Sequence, residues 1–329
     1  MNTRQLSPLS ILAAALFVGA TTTPVGSAPV SGYPSRPVRL IATNPGTPGD
    51  VVVRILSEPL GAALGQPIVV DNRPGAINTI ALDLVAKATA DGHTLGVMGM
   101  PATVAPALLP RMPYDTTRDL APIRQMTWVT NILVVRGGAP LASVANLVAA
   151  AKAQPNQLTY ASGGNGTPAH LAAALFAASA ALKVRHVPFR GAMPGVAAVM
   201  GEHVDFMFAT VPAVAEQVRA GQLRALATSG PARLAAFPDV PTLVEQGYRK
   251  LSIRDWHGIV APRSTPGPMI ARIAAELGKA LAARDVRARL AAIGVDPATD
   301  SSPAAFGDHI RAELERWSRV VRDAGIQAD

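Results

Sequence analysis

The chain has 329 residues, 49% hydrophobic and 16% charged, with a formal charge of +8 and no cysteine. This length suits two lobes rather than one core, and the apolar content excludes a disordered chain. Missing thiols exclude zinc ribbons, cysteine nucleophiles and disulfide scaffolds, while the scattered single Arg residues give no basic stripe for nucleic acid.

The N-terminus has the pattern of an export signal. Arg4 precedes an apolar stretch over 9–19, and Val18, Gly19 and Ala20 place small residues before a cleavage point. The stretch is shorter than the ~20 residues that span a bilayer. The expectation is a signal peptide at 1–20, a flexible leader at 21–32 and a mature periplasmic chain. With no Cys at the cleavage point, a lipoprotein is excluded.

Short β-branched runs then alternate with Ala/Leu-rich helical patterns, which predicts an α/β fold with a mostly parallel sheet covered by helices. Expected strands are 38–42, 68–71 and 95–98, with helices over 51–64 and around 79–88; Asp50 is placed as the N-cap of the first. Two proline-rich passages, 101–113 and 114–122, loosen the pattern. A second unit follows, with strands at 132–136, 158–161, 184–188, 204–208 and 223–228. Its helices are expected at 144–153, 167–180, 193–200 and 211–220. A strand at 256–261 and amphipathic helices at 269–282 and 303–323 end the chain. The simplest layout is a first lobe from 33–127 plus 256–329, an inserted second lobe at 128–255, and a ligand cleft between them.

Two strand-to-helix loops carry the chemistry. Tyr160 to Thr167 (YASGGNGT) runs into Pro168, Ala169 and His170. Glycines there turn backbone N–H groups toward one point, and the first helical turn leaves its donors unpaired, which makes an anion seat. Pro168 suits the first helical position, and Thr167 either caps the helix or offers its hydroxyl to a ligand. A simple Thr-capped turn explains the same residues without a ligand. The second loop, Thr43 to Asp50 (TNPGTPGD), is of the same physical type, and Asn44 and Thr47 can hydrogen-bond a solute. One seat in each lobe implies a cleft that clamps its ligand from both sides.

Gly164, Gly166 and Ala169 also fit G-x-G-x-x-G/A, which opens an NADP-binding oxidoreductase reading with Arg185 as the phosphate partner. No P-loop, G-x-S-x-G or H-E-x-x-H occurs, and the six histidines lack metal-ligand spacing, so no metal or cofactor is expected. Ser162 has no evident base partner in the sequence and is assigned to the turn. His170, one turn inside its helix, is either a ligand contact or a packed side chain.

At these residues the chain resembles the Bug-type extracytoplasmic receptors, the binding components of tripartite tricarboxylate transporters. The matching stretches are YPSRPVR from Tyr33, VDNRPGA from Val70, PYD from Pro113, and Tyr160 to Thr167. HVPFRG from His186, PDVPT from Pro238 and VVRDAG from Val320 continue the match in collinear order. The resemblance implies a non-catalytic, two-lobed type II-like periplasmic binding fold that closes on a small carboxylate. It implies Gly46 and Thr47 in one lobe, and Gly163, Asn165, Gly166, Thr167 and His170 in the other, as seat residues. The partners it implies are the solute and either a membrane permease or a sensor subunit, with the receptor itself a monomer.

The departures from that family's pattern bear on the ligand. Thr43 to Thr47 replaces an aromatic and a Pro-Pro-Gly-Gly run, and Ile77, Asn78 and Thr79 replace two glycines and Asn. Pro101, Ala102 and Ala105 stand where polar residues are common, and Ala209 and Thr210 where Asp-Asn often follows the strand. Ile77 adds a side chain where backbone would approach the solute, and Ala209 removes a partner for an ammonium. A less polar or differently shaped acid is expected over an amino acid.

Overall fold

The computed structural model describes residues 32–249, 251–323, 325 and 326. The expected signal peptide at 1–20 lies outside the described residues, as does all of the leader except Gly32.

The chain opens with β1 (Val38–Ala42), α1 (Pro48–Leu64) and β2 (Ile68–Asn72). A short 3-10 turn (Ala76–Asn78) leads into α2 (Thr79–Ala86), β3 (Thr94–Gly99) and α3 (Met100–Leu108). Next come β4 (Leu120–Arg136), α4 (Val144–Ala153), β5 (Thr159–Ser162), α5 (Pro168–Ser179) and β6 (Arg185–Pro188). The middle closes with α6 (Ala192–Met200), β7 (Phe206–Thr210), α7 (Val211–Arg219) and β8 (Leu223–Thr228). The remainder is β9 (Arg254–Pro262), α8 (Gly267–Ala282), α9 (Arg284–Ala292), β10 (Val295–Pro297) and α10 (Pro303–Asp323).

Local sequence explains these elements. In α1, Val52, Val53, Leu56, Leu60 and Leu64 recur at helical spacing and are buried. Thr47 in extended backbone precedes Pro48 at the start, and left-handed Gly65 (φ 80°) ends the helix. Asp50 is therefore not the N-cap: the helix starts earlier than expected, and the carboxylate sits inside its first turn. The passage at 101–113 also differs from expectation. Pro101 lies in the first two positions of α3, where a missing N–H costs nothing, and Pro106 is exposed, so the apolar run stays helical.

The strands run β2-β1-β3-β9-β4-β7-β5-β6, with β10 and β8 also pairing with β4. β1 is parallel to β2 and β3, and β5 is parallel to β6 and β7, so the same three-strand unit appears twice. The 17-residue β4 joins the two units: its residues up to Thr130 pair with β9, and those from Asn131 pair with β7 and β8. Expectation placed only the second part of this strand, because Pro122 and alternating polar residues disguise the first.

Among the described residues, buried apolar side chains form three clusters. One lies within the first half (Leu40, Val52, Leu56, Ile123, Ile259, Leu277) and one within the second (Ile132, Val134, Val196, Met207, Val214). The third runs across both halves and includes Met98, Leu133, Phe176, Phe208, Trp256 and Trp317. Each fully buried Leu, Ile or Phe contributes about 1.5–3 kcal/mol of transfer free energy. Glu313 of α10 is buried and accepts from the indoles of both Trp256 (3.3 Å) and Trp317 (2.8 Å), which fixes α10 over β9.

Candidate functional site: two matched loops and a tied floor

The loops after β1 and β5 are built to one plan. Gly46 and Gly166 take left-handed φ of 74° and 70°, a conformation suited to residues without a Cβ. Thr47 and Thr167 follow at φ/ψ of −70°/157° and −73°/155°, each before a Pro in the first helical position. Both hydroxyls turn back, Thr47 Oγ1 donating to Asn44 O (2.8 Å) and Thr167 Oγ1 to Gly164 O (2.6 Å). The glycine N–H groups are already engaged: Gly46 donates to Asp50 Oδ2 (2.9 Å) and Gly166 to His170 Nδ1 (3.1 Å).

This corrects the simple picture of open glycine amides. The third helical residue of α1 and of α5 secures its loop, and the donors left for a ligand belong to the helix starts, at Gly49 and Ala169. Thr167 caps as well, its oxygen accepting from His170 N–H at 3.5 Å. Pro also stands in the first two positions of α3 and α7, after β3 and β7, so four helices begin alike at strand ends. Each brings the positive end of its dipole to this side of the sheet.

The two securing residues differ. Asp50 is almost fully buried and binds Arg54, Asn72 Nδ2 (2.8 Å) and the Gly46 N–H. Burial works against its charge, but these partners outweigh it and hold the carboxyl below its usual pKa. His170 instead stacks on His186 at 4.1 Å with planes 4° apart, and His186 stacks on Tyr160 at 4.8 Å. With Nδ1 accepting from Gly166, the neutral His170 ring carries its proton on Nε2. Burial pushes the Tyr160 phenol up to about 12. Ser162 does have a base beside it, since its Oγ lies 2.6 Å from His186 Nε2, a contact that 24 residues of separation hid in the sequence. That hydroxyl is buried and also accepts from Gly164 N–H, so it serves the turn.

The halves meet at the second of these loops. A Cβ on Gly166 would lie 3.1 Å from Leu108 Cδ1 and 3.2 Å from Ile77 Cδ1, so Ile77 crosses from the first half to the second. Ile77 has a left-handed backbone (φ 54°), rare for a β-branched residue, within a run of positive φ from Gly75 to Asn78. Asn78 Oδ1 is buried without a partner, and its Nδ2 reaches Val97 O at 3.3 Å. Thr43 accepts from Asn72 through its carbonyl, Asn44 is exposed, Asn165 is half-buried, and Gly163 packs on Gly191 and Ala192. Pro101 is half-buried at the start of α3, and Thr210 is the N-cap of α7. Ala209 points elsewhere, into the apolar cluster of the second half.

Two features of the floor were not found from the sequence. His257 on β9 lies under the starts of both α1 and α3, its Cδ2 2.6 Å and 3.3 Å from Cβ positions built on Gly49 and Gly99. Asp255 sits 3.7 Å from His257 Nε2; burial raises its pKa, opposed by His257 and by the N–H groups of Trp256 and Met100. The second feature is a knot where the chain passes between halves. Asn131 N–H donates to Ser229 Oγ (3.1 Å) and Ser229 N–H to Asn131 O (2.8 Å). Ser229 Oγ then donates to Ile253 O (2.7 Å), and Ile253 N–H returns to Ser229 O (2.7 Å). One buried hydroxyl thus ties the middle of β4, the end of β8 and the approach to β9. Cavities of about 480 and 260 Å³ lie elsewhere, beside Ser57 to Ile68 and around Trp128 and Pro297; neither is lined by the loop residues. Among the described residues no group of three or more His, Asp or Glu could hold a metal ion, and no helix is long and apolar enough to cross a membrane.

A pair of matched α/β halves meeting at glycine loops is the build of a two-lobed periplasmic binding protein. The solved structure of periplasmic binding protein BugD superposes with a TM-score of 0.81 at 27% identity, covering 90% of this chain and 100% of that one. A Rhodopseudomonas palustris protein, MatC, solved with bound malate, matches at TM-score 0.79 and 30% identity over 88% and 100% of the two chains. An R. palustris protein solved with adipate matches at 0.80 and 29% over 90% and 100%. In sequence, protein BugT of Bordetella pertussis is 36% identical over 306 residues, 92% of this chain and 94% of that one. Residues 52–326 match the tripartite tricarboxylate transporter family receptor. The chain belongs to this family, whose members are solute-binding receptors and not enzymes. The oxidoreductase reading of Gly164, Gly166 and Ala169 falls with that finding, and the amides it would have used are bonded to Ser162 and His170.

Proposed function

We propose that this chain captures a small organic carboxylate in the periplasm and presents it to a membrane permease of the tripartite tricarboxylate type. Export by a signal peptide at 1–20 and action as a monomer belong to the same reading. So does a division into lobes at 33–127 plus 256–329 and at 128–255, closing about the Asn131–Ser229–Ile253 knot. The observation that supports it is the contact of the second matched loop with the first half, Gly166 lying against Ile77 and Leu108. Neutral hydrogen-bond donors at helix starts, with Arg54 spent on Asp50, suit an anion whose charge is met by dipoles. Bound malate and adipate in two relatives support the class.

Mass spectrometry of the natively purified protein is expected to release a small carboxylate. Thr167→Ala is expected to weaken that ligand in calorimetry while leaving the fold intact. An amino acid as the natural ligand, or unchanged affinity in the variant, would overturn the respective part of the reading.

A further inference from the structure

Asn131 is 1% exposed, and both ends of its side-chain carboxamide, Nδ2 and Oδ1, are buried without a hydrogen-bond partner. Its backbone is fully used in the knot with Ser229. Each orphaned polar atom in such a place costs about 1–3 kcal/mol, so the position is expensive unless something else completes it.

Its placement says what that is. Asn131 pairs with Thr210 across β4 and β7, on the face it shares with Leu133 and Val135. That face belongs with Phe206, Phe208, Leu171 and Phe176, and so lies under α5. Asn131 stands at the edge of this covered face, where β7 ends. Thr210 beside it is the N-cap of α7, yet its hydroxyl makes no capping bond.

We infer that the Asn131 carboxamide contacts the ligand on the cleft floor and selects a carboxylate that carries a hydroxyl on the neighbouring carbon. The inference rests on the receptor reading above and adds a substrate class to it. The Nδ2 hydrogens need an acceptor, which a carboxylate supplies; Oδ1 needs a donor, which a carboxylate at neutral pH does not have. A hydroxyl next to the carboxylate gives both at once. An ammonium also donates, but Asn131, Thr210 and Ser229 are uncharged, and the one carboxyl described on the floor, Asp255, already lies beside His257. The amide comes within reach as the lobes part about the Ser229 knot, and closure seals it against the ligand.

Succinate, L-malate and L-aspartate share one skeleton and differ at one carbon in bearing hydrogen, hydroxyl or ammonium. In calorimetry the wild-type protein is expected to bind malate at least about tenfold more tightly than the other two. Asn131→Leu, of similar shape, should bring malate to parity with succinate. It should also raise the melting temperature of the ligand-free protein, because it removes two orphaned atoms and no bond. A malate preference that survives in Asn131→Leu, a fall in melting temperature, or a wild-type preference for succinate or aspartate would overturn the assignment. Carboxylate binding without hydroxyl selectivity overturns this inference alone. If none of the three binds and no small carboxylate copurifies, the receptor reading fails and takes the inference with it.

Discussion

The loops after β1 and β5 share backbone angles, a back-bonded threonine and a following proline, yet one is secured by a carboxylate and the other by an imidazole. Asp50 works within a charged network that includes Arg54 and Asn72, whereas His170 works within a column of rings. The same turn is therefore held by electrostatics in one half and by stacking in the other. The surroundings differ too: open space lies around Gly46, while Gly166 is pressed between Ile77 and Leu108. The first loop is an independent fixture, and the second is also part of the contact between halves.

Replacing the securing residues tests this most strongly. Asp50→Ala strips several bonds to a buried charge and is expected to cost about 3 kcal/mol in chemical denaturation. His170→Ala, which loses one acceptor and a stacking partner, should cost about half as much; equal losses would break the contrast. Next in size, Gly166→Ala should cost about 2 kcal/mol and weaken ligand binding, because its Cβ meets Ile77 and Leu108 on top of the left-handed penalty. Gly46→Ala carries that penalty alone, about 1 kcal/mol, with affinity little changed. Reversed ranks in thermal melts would show that the halves do not meet at Gly166.

Acid should also separate the two loops. Asp50 has a depressed folded pKa, so the stability it contributes is present above the unfolded value of about 3.9 and is lost as pH falls through the lower folded value. Melting temperature against pH should therefore show an acid limb that Asp50→Asn flattens and His170→Gln leaves in place. The smallest effect belongs to the threonines. Thr167→Ala should cost about 1 kcal/mol and Thr47→Ala only a few tenths, since only Thr167 accepts from its helix.

Much of this architecture was open to reading from residues alone. The bounds of β1, α4, β8 and α10 agree with expectation: burial in α4 and α10 recurs at helical spacing, while β1 and β8 are short, mostly apolar runs bounded by turn residues. Prolines hid α3 and the start of β4, since a sequence does not say whether a proline falls in a first turn or on an exposed helix face. α9 was missed because Arg and Asp dominate it and only Val286 and Leu290 are buried, one turn's worth of signal. The two loops were found from glycine and proline spacing. Asp50 and His170 were singled out as well, but not as the residues that secure these loops, because that pairing appears only when the turn is drawn in space. Asn131 did leave a trace, as one carboxamide opening the otherwise apolar run Ile132-Leu133-Val134-Val135, but only coordinates show that its side chain lacks a partner.

The place of β9 governs the order in which the molecule can be assembled. It lies between β3 and β4, pairing Gly96 with Val260 and Trp128 with Trp256, so the early strands wait for a segment made well over a hundred residues later. The inserted half is continuous in the chain and needs no such delay. Refolding should therefore show the inserted half gaining protection first, while the first half stays loose until its missing central strand arrives. A chain cut before residue 254 would keep one sheet and leave the other with an unfilled slot at its centre.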